Sequence, residues 1–370
     1  MQYNILVLGA SYGSLLGTKL LMAGHRVSLV CTAPTARLIN REGTRVRFPL
    51  RGEAMPLEID SRTLPGMLVA VTPDQADPQA YDLIVLGMQE VQYGSPGVRE
   101  LMRRIARARK PAFAIMNMPP LPYLRRLPGI HADALKVCYT DPSVWEDFDP
   151  ALITLASPDP QAFRPPESAK NVLQVGLPTN FKAARFESPQ ATAILRELEA
   201  GIEGARIVRD GVAMEIPVKL KVHDSIFVPL AKWPMLITGN YRCVRRRDMI
   251  SIREAVHGNL DLSRRVYEWA AGLCMTLGAD AGDLVPFEKY AKAAEGLGKP
   301  SSAARALFGG AEHIERVDSL VRRIAWQRGT ECAVLEGIVE LVDERLEKNR
   351  SKPAAQKEPA FEFTPEPSMA

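Results

Sequence analysis

Cysteine is scarce and unpaired: Cys31, Cys138, Cys243, Cys274 and Cys332 stand singly, an odd total with no C-x-x-C pair. That pattern excludes a zinc cage of ordinary spacing and a disulfide framework, and predicts a reducing, cytoplasmic setting. Charge of one sign is lacking too, since 47 basic against 43 acidic side chains leave only +4. So small an imbalance points away from nucleic acid and membrane surfaces and toward a small-molecule partner. No apolar run reaches the roughly 18 residues of a membrane span. The opening Met1-Gln2-Tyr3-Asn4 before Ile5 to Leu8 lacks the charge and length of a signal peptide. His25, His131, His223, His257 and His313 have no metal-ligand spacing, and no G-x-S-x-G motif occurs. Neither metal catalysis nor hydrolysis is expected.

What is present is a chain long enough for two domains, whose halves differ in pattern. Residues 3 to 9 form a short apolar run typical of a strand buried on both faces of a parallel sheet, ending at Gly9. Leu15, Leu16, Leu20 and Leu21 then mark a helix closed by Gly24, and Arg26 to Cys31 supplies a second strand. Residues 44–50 and 67–71, Asp82 to Met88, and Ala112 to Asn117 add extended segments, with a helix at 96–108. Further β-rich pieces are expected at 134–140, 151–155, 171–175 and 205–208, separated by proline and glycine. From about Ile216 apolar residues recur at helical spacing through 218–243, 251–277, 284–295, 301–308 and 311–348. The expected architecture is a Rossmann-type α/β domain over 1–215, then an all-helical domain over 216–348. The proline-bearing stretch 349–370 is expected to be a disordered tail.

Gly9-Ala10-Ser11-Tyr12-Gly13 lies between the first strand and first helix, where a dinucleotide fold places its phosphate turn. Glycine there permits a sharp turn and lets amides approach a pyrophosphate at the helix N-terminus. The spacing departs from G-x-G-x-x-G: Ser11 holds the second glycine's place and the loop is one residue short. A turn whose glycines serve packing alone is the competing reading. At the end of the second strand, Cys31-Thr32-Ala33-Pro34 contains no acid for an NAD ribose, which leans toward NADPH without excluding NADH. Arg37 is available to a 2′-phosphate, or is a solvated surface residue.

With Gly24-His25-Arg26-Val27 in order, Asn117 after a parallel strand and a helical second half, residues 1 to 348 resemble the ketopantoate reductase family. The resemblance implies hydride transfer from NADPH to a 2-keto acid, and suggests a homodimer. It implies that Asn117 lies beside the nicotinamide, with Met118 in place of the family's following glycine. It makes Lys232 in Leu230-Ala231-Lys232-Trp233 the catalytic proton donor, with Pro229 and Pro234 close enough to kink its helix. The asparagines expected four and eight residues on are here Leu236 and Asn240, the latter a substrate ligand or a helix cap. Ser301 and Ser302 match a substrate-binding segment, or begin a helix as caps. Glu331 matches an acid that binds cofactor and substrate, or pairs with Arg328. Gln89 replaces a frequent lysine near the cofactor. The clusters Arg245-Arg246-Arg247 and Arg103 to Lys110 read as solvated faces. The expected function is an NAD(P)H-dependent reductase of a small carboxylate-bearing carbonyl compound. An inactive dinucleotide-binding protein and an imine reductase of opine type are the alternatives.

Overall fold

The structure, a computed structural model, describes residues 1–351. Its described residues divide into two compact units: Met1–Arg126 with Ser143–Asp224, and Leu127–Pro142 with residues 225–351.

The first unit is built on an eight-stranded sheet. Its strands are β1 (Asn4–Leu8), β2 (Arg26–Val30), β3 (Met67–Val71), β4 (Leu83–Leu86), β5 (Ala112–Ile115), β6 (Ile153–Ser157), β7 (Phe181–Ala184) and β8 (Leu220–His223). Their spatial order is β3-β2-β1-β4-β5-β6-β7-β8. The strands through β6 pair in parallel, β7 runs against β6, and β8 pairs in parallel with β7. The first six follow the 3-2-1-4-5-6 order of the doubly wound dinucleotide fold, whose ligands bind at the carboxyl ends of the strands where the order reverses. That reversal falls between β1 and β4. Apolar runs such as Ile5 to Leu8 and Leu83 to Leu86 are buried throughout, as strands covered on both faces require. Helix α1 (Gly13–Met22) is buried along all ten residues. A smaller sheet orders Leu57–Asp60, Arg45–Phe48, Val172–Leu177 and Gln161–Phe163.

The second unit contains helices Ile252–His257, Leu260–Thr276, Phe287–Ala294, Ser302–Phe308, Val317–Gln327 and Ala333–Arg350. Val256, Tyr267, Phe287, Tyr290, Ala291 and Ala294 form one of its apolar cores.

Several expectations need correction. Residues 134–140 are not extended: Ala132–Cys138 is a 3₁₀ turn of the second unit. The start of the 218–243 helical pattern is strand β8, so the first unit runs past residue 215. The 311–348 pattern is two helices, interrupted at Gly329 with φ 67°. A helix at Pro189–Gly204 was not anticipated. Its proline sits in the first turn, where a missing N–H costs nothing, and Ser188 caps it by accepting from the Ala191 amide. Asn349, assigned to the tail, is buried and donates to the Leu307 and Ala311 carbonyls. The rest of the tail lies outside the described residues.

Candidate active site

The carboxyl ends of β2, β1 and β4 are level, since Leu8 pairs with both Val30 and Leu86, and Leu86 with Ala114 of β5. Thr32, Gly9, Gln89 and Asn117 therefore follow four adjacent parallel strands at one edge of the sheet. Gly9 has φ +99°, and a Cβ there would lie 2.7 Å from Met88 Cγ and 2.9 Å from the Gly87 carbonyl oxygen. Only glycine fits that turn and that approach. At Gly13 a Cβ would come 2.6 Å from Val7 Cγ1. Gly13 thus performs the helix-on-strand packing of the third glycine in the longer motif, one position early. Packing explains both glycines, yet it leaves the loop between them open.

The Ser14 and Leu15 amides donate to Ser11 and Tyr12 carbonyls, whereas those of Ala10, Ser11 and Tyr12 have no backbone acceptor among the described residues. They precede α1, which carries no acid in its first turn. Free amides at a positive helix end suit a pyrophosphate. The Tyr12 side chain turns away from this loop: its hydroxyl donates to the Pro160 carbonyl at 2.6 Å and its ring meets Phe181 edge-on.

Thr32 is exposed and donates from its hydroxyl to Thr35. The Gln89 amide donates to Gln92 Oε1, leaving the Gln89 side chain half-buried. Asn117 is half-buried, while Met118 is wholly buried and takes its bulk into the interior. Burial pushes the Cys31 thiol up to about 11 against the pull of the Arg164 guanidinium. The fold therefore brings Arg164, from beyond the Gln161–Phe163 strand, near the end of β2. Sequence reading missed it, and Arg37 is exposed on the helix Ala33–Glu42. No local signal could have found a residue this distant in sequence.

In the second unit Lys232 is half-buried and begins the helical turn Lys232–Met235. That turn is preceded by 3₁₀ winding over Val228–Ala231 and followed by a π turn, Leu236–Asn240. The flanking prolines change the pitch without ending the segment. Pro234 has no N–H to offer the Leu230 carbonyl, and the Cys274 thiol approaches that oxygen at 3.8 Å. Leu236 is buried at 4% exposure. Ser301 caps the helix Ser302–Phe308, accepting from the Ala304 amide and donating to the Asn240 carbonyl at 2.6 Å. Buried, Ser301 takes the capping role that the sequence offered as the alternative to a substrate contact. Ser302 is half-buried.

Glu331 is exposed, and it borders a depression of about 440 Å³ with Trp326, Gly329 and Thr330. Its pairing with Arg328 does not occur, for Arg328 donates to the Thr276 carbonyl. Thr330 is tied to the helix Leu260–Thr276 through Trp269 Nε1 at 3.3 Å. Among the described residues no cluster of ligating side chains could hold a metal, and no helix is long and apolar enough to cross a membrane.

No family model matches the chain, and no curated protein matches it by sequence. Solved structures match nearly its whole length. The 2-dehydropantoate 2-reductase from Methylococcus capsulatus superposes with TM-score 0.64 at 16% identity, covering 95% of this chain and 99% of that one. D-mandelate dehydrogenase, solved with NADH and anilino(oxo)acetate, gives 0.62 at 14% identity, over 94% and 99%. A dimeric ketopantoate reductase from Staphylococcus aureus gives 0.60 at 10%, over 94% and 99%. The molecule is thus a doubly wound dinucleotide fold joined to a helical unit. More narrowly, its fold is that of the ketopantoate reductases.

Proposed function

We propose that the chain is a divergent reductase of the ketopantoate reductase kind, using NADPH to reduce the carbonyl of a small carboxylate-bearing compound. One observation carries this reading. The unpaired amides of Ala10, Ser11 and Tyr12 open at the carboxyl ends of parallel strands, where the strand order reverses and where Thr32, Gln89 and Asn117 also lie.

When bound, the reduced nicotinamide supplies a hydride. The Ala10 to Gly13 loop cradles its pyrophosphate, Asn117 orients the nicotinamide amide, and Arg164 replaces Arg37 as the partner of a ribose 2′-phosphate. Lys232 holds a proton against the substrate carbonyl oxygen, stabilises the negative charge that develops there and transfers the proton to it. Glu331, with no hydrogen-bond partner among the described residues, binds hydroxyl groups at the border of its depression. Leu236 gives the substrate pocket an apolar wall where ketopantoate would want an amide, so a 2-oxo acid with an apolar side chain is favoured. The aryl-bearing oxo acid analogue bound by the D-mandelate dehydrogenase neighbour supports that choice. The dimeric neighbour supports a homodimer, and five free cysteines agree with the cytoplasm.

Titration with NADPH and NADH, followed by nicotinamide fluorescence, tests the cofactor. NADPH should bind about tenfold tighter, and Arg164→Ala should erase the difference. Phenylglyoxylate reduction should fall about 10³-fold in Lys232→Ala while NADPH affinity holds. Binding of neither dinucleotide would overturn the proposal, and full turnover in Lys232→Ala would overturn the role of that lysine.

A further inference from the structure

The winding after Lys232 carries more information than its sequence. Tyr241 N–H donates to the Leu236 carbonyl, five residues back, so this turn holds one residue more than an α-helical turn. On a continuous α-helix, Asn240 would stand about 80° round from Lys232 after two turns. The extra residue makes the eight-residue step equivalent to about seven, ending only about 20° short of two full turns. The expansion therefore swings Asn240 by about 100° and aligns it with Lys232.

Several groups from outside the segment hold the expansion open. The Tyr290 hydroxyl donates to the Met235 carbonyl at 3.1 Å, at the near end of the turn. The Ser301 hydroxyl donates to the Asn240 carbonyl at its far end. Arg242 bridges the Thr238 carbonyl and the Ser263 hydroxyl. Gly239 makes room: a Cβ there would fall 2.0 Å from the Tyr290 hydroxyl oxygen. Tyr290 itself is fixed by stacking on Tyr267, ring centroids 5.2 Å apart. Asn240 heads the following 3₁₀ turn without capping it, and its half-buried side-chain amide has no hydrogen-bond partner among the described residues. Since Leu236 took the place of the other expected asparagine, Asn240 is the remaining amide on the Lys232 face.

We infer that Tyr290 and Ser301 are positioning residues, which hold the π turn so that the Asn240 amide faces the substrate bound at Lys232. This rests on the reductase reading above and adds to it how the site keeps an amide after losing one. Tyr290 touches no substrate. It acts through a backbone carbonyl five residues before Asn240, and Gly239 is what admits it.

A double-mutant cycle on the full-length protein saturated with NADPH tests the inference, with oxamate as the 2-oxo acid analogue. Tyr290→Phe and Asn240→Ala should each weaken oxamate about tenfold while the NADPH dissociation constant is unchanged. The double variant should bind oxamate no worse than Asn240→Ala alone, because Tyr290 has no route to the ligand except Asn240. Ser301→Ala, measured in the same cycle, should behave as Tyr290→Phe does. Wild-type affinity in Tyr290→Phe, or losses that multiply to about a hundredfold in the double variant, would overturn the inference. Wild type that binds NADPH but not oxamate would overturn it too, leaving the dinucleotide site standing. Wild type that binds neither would overturn both readings.

Discussion

Lys19 is the most deeply buried cation in the first unit, 1% exposed in the middle of α1, with Nζ donating to the Ile216 carbonyl at 2.7 Å. It also reaches the Pro217 carbonyl, next to Val218, a β-branched residue at φ +70° that the surrounding contacts must hold. Burial draws the Lys19 pKa down to about 8, with the nearby Lys219 charge adding to the fall. An unfolded lysine titrates near 10.4, so between about pH 8 and 10 the unfolded chain binds more protons than the native one. Stability then rises with pH across that window, and below it the full cost of a buried ammonium is present. The urea midpoint of the first unit should increase from about pH 7.5 to about pH 9.5, and Lys19→Met should lose that increase. A flat wild-type profile would place the ammonium in a better-solvated site. Sequence gave little warning of Lys19, because the leucine pattern of α1 marks one apolar face while the fold covers the whole helix. Sequence left Glu331 between a ligand role and a pair with Arg328, and what separates the two side chains is the distant Thr276 carbonyl, to which Arg328 donates.

At the scale of elements, strands buried on both faces were the most legible, since β1, β4 and β5 read as apolar runs bounded by glycine or proline. Helix Pro96–Ala108 also matched its expected range, having an apolar stripe and proline in its first turn. Strand β8 failed because Leu220-Lys221-Val222-His223 alternates within a longer stretch of helical spacing, and its pairing partner β7 lies far back in the chain. The π turn was illegible for another reason: its register is set by Tyr290 and Ser301, not by its own residues. Helix Val317–Gln327 starts beside a buried ion pair. Asp318 is fully buried, and Arg316 contacts it at 3.0 Å while also reaching Asp343 at 2.6 Å. Burial works against the Arg316 charge, but Asp318 and Asp343 together outweigh it and raise the guanidinium's pKa above its ordinary value. Tyr241 connects this pair to the π turn, accepting from the Val317 amide and donating to the Glu315 carbonyl. Asp318→Ala leaves the largely buried Arg316 guanidinium with the more exposed Asp343 carboxylate as its remaining acid and should cost about 3 kcal/mol, read by chemical denaturation of the second unit. A loss under about 1 kcal/mol would mean that solvent already shields the pair.

At the scale of the whole molecule, the order of an α/β half before a helical half was legible, while the path of the chain between them was not. Composition changes near Ile216 drew attention to one boundary, but Leu127–Pro142 belongs with the second unit despite lying within the first unit's sequence. His131 exchanges two backbone hydrogen bonds with the Gln327 side chain, and the Cys138 thiol meets the Ser319 hydroxyl at 3.6 Å. A fragment beginning at Ser225 should therefore melt without cooperativity, and a synthetic peptide of residues 127–142 added in trans should restore a sharp thermal transition. Cooperative melting of the bare fragment would show that the insertion is dispensable. The same threading sets a timetable on the ribosome. Cys138 emerges 181 residues before Ser319, so a stretch made early must wait, with its apolar side chains uncovered, until almost the entire chain has been translated. That interval makes residues 127–142 a natural point of engagement for chaperones, in a protein whose first six strands can already pair.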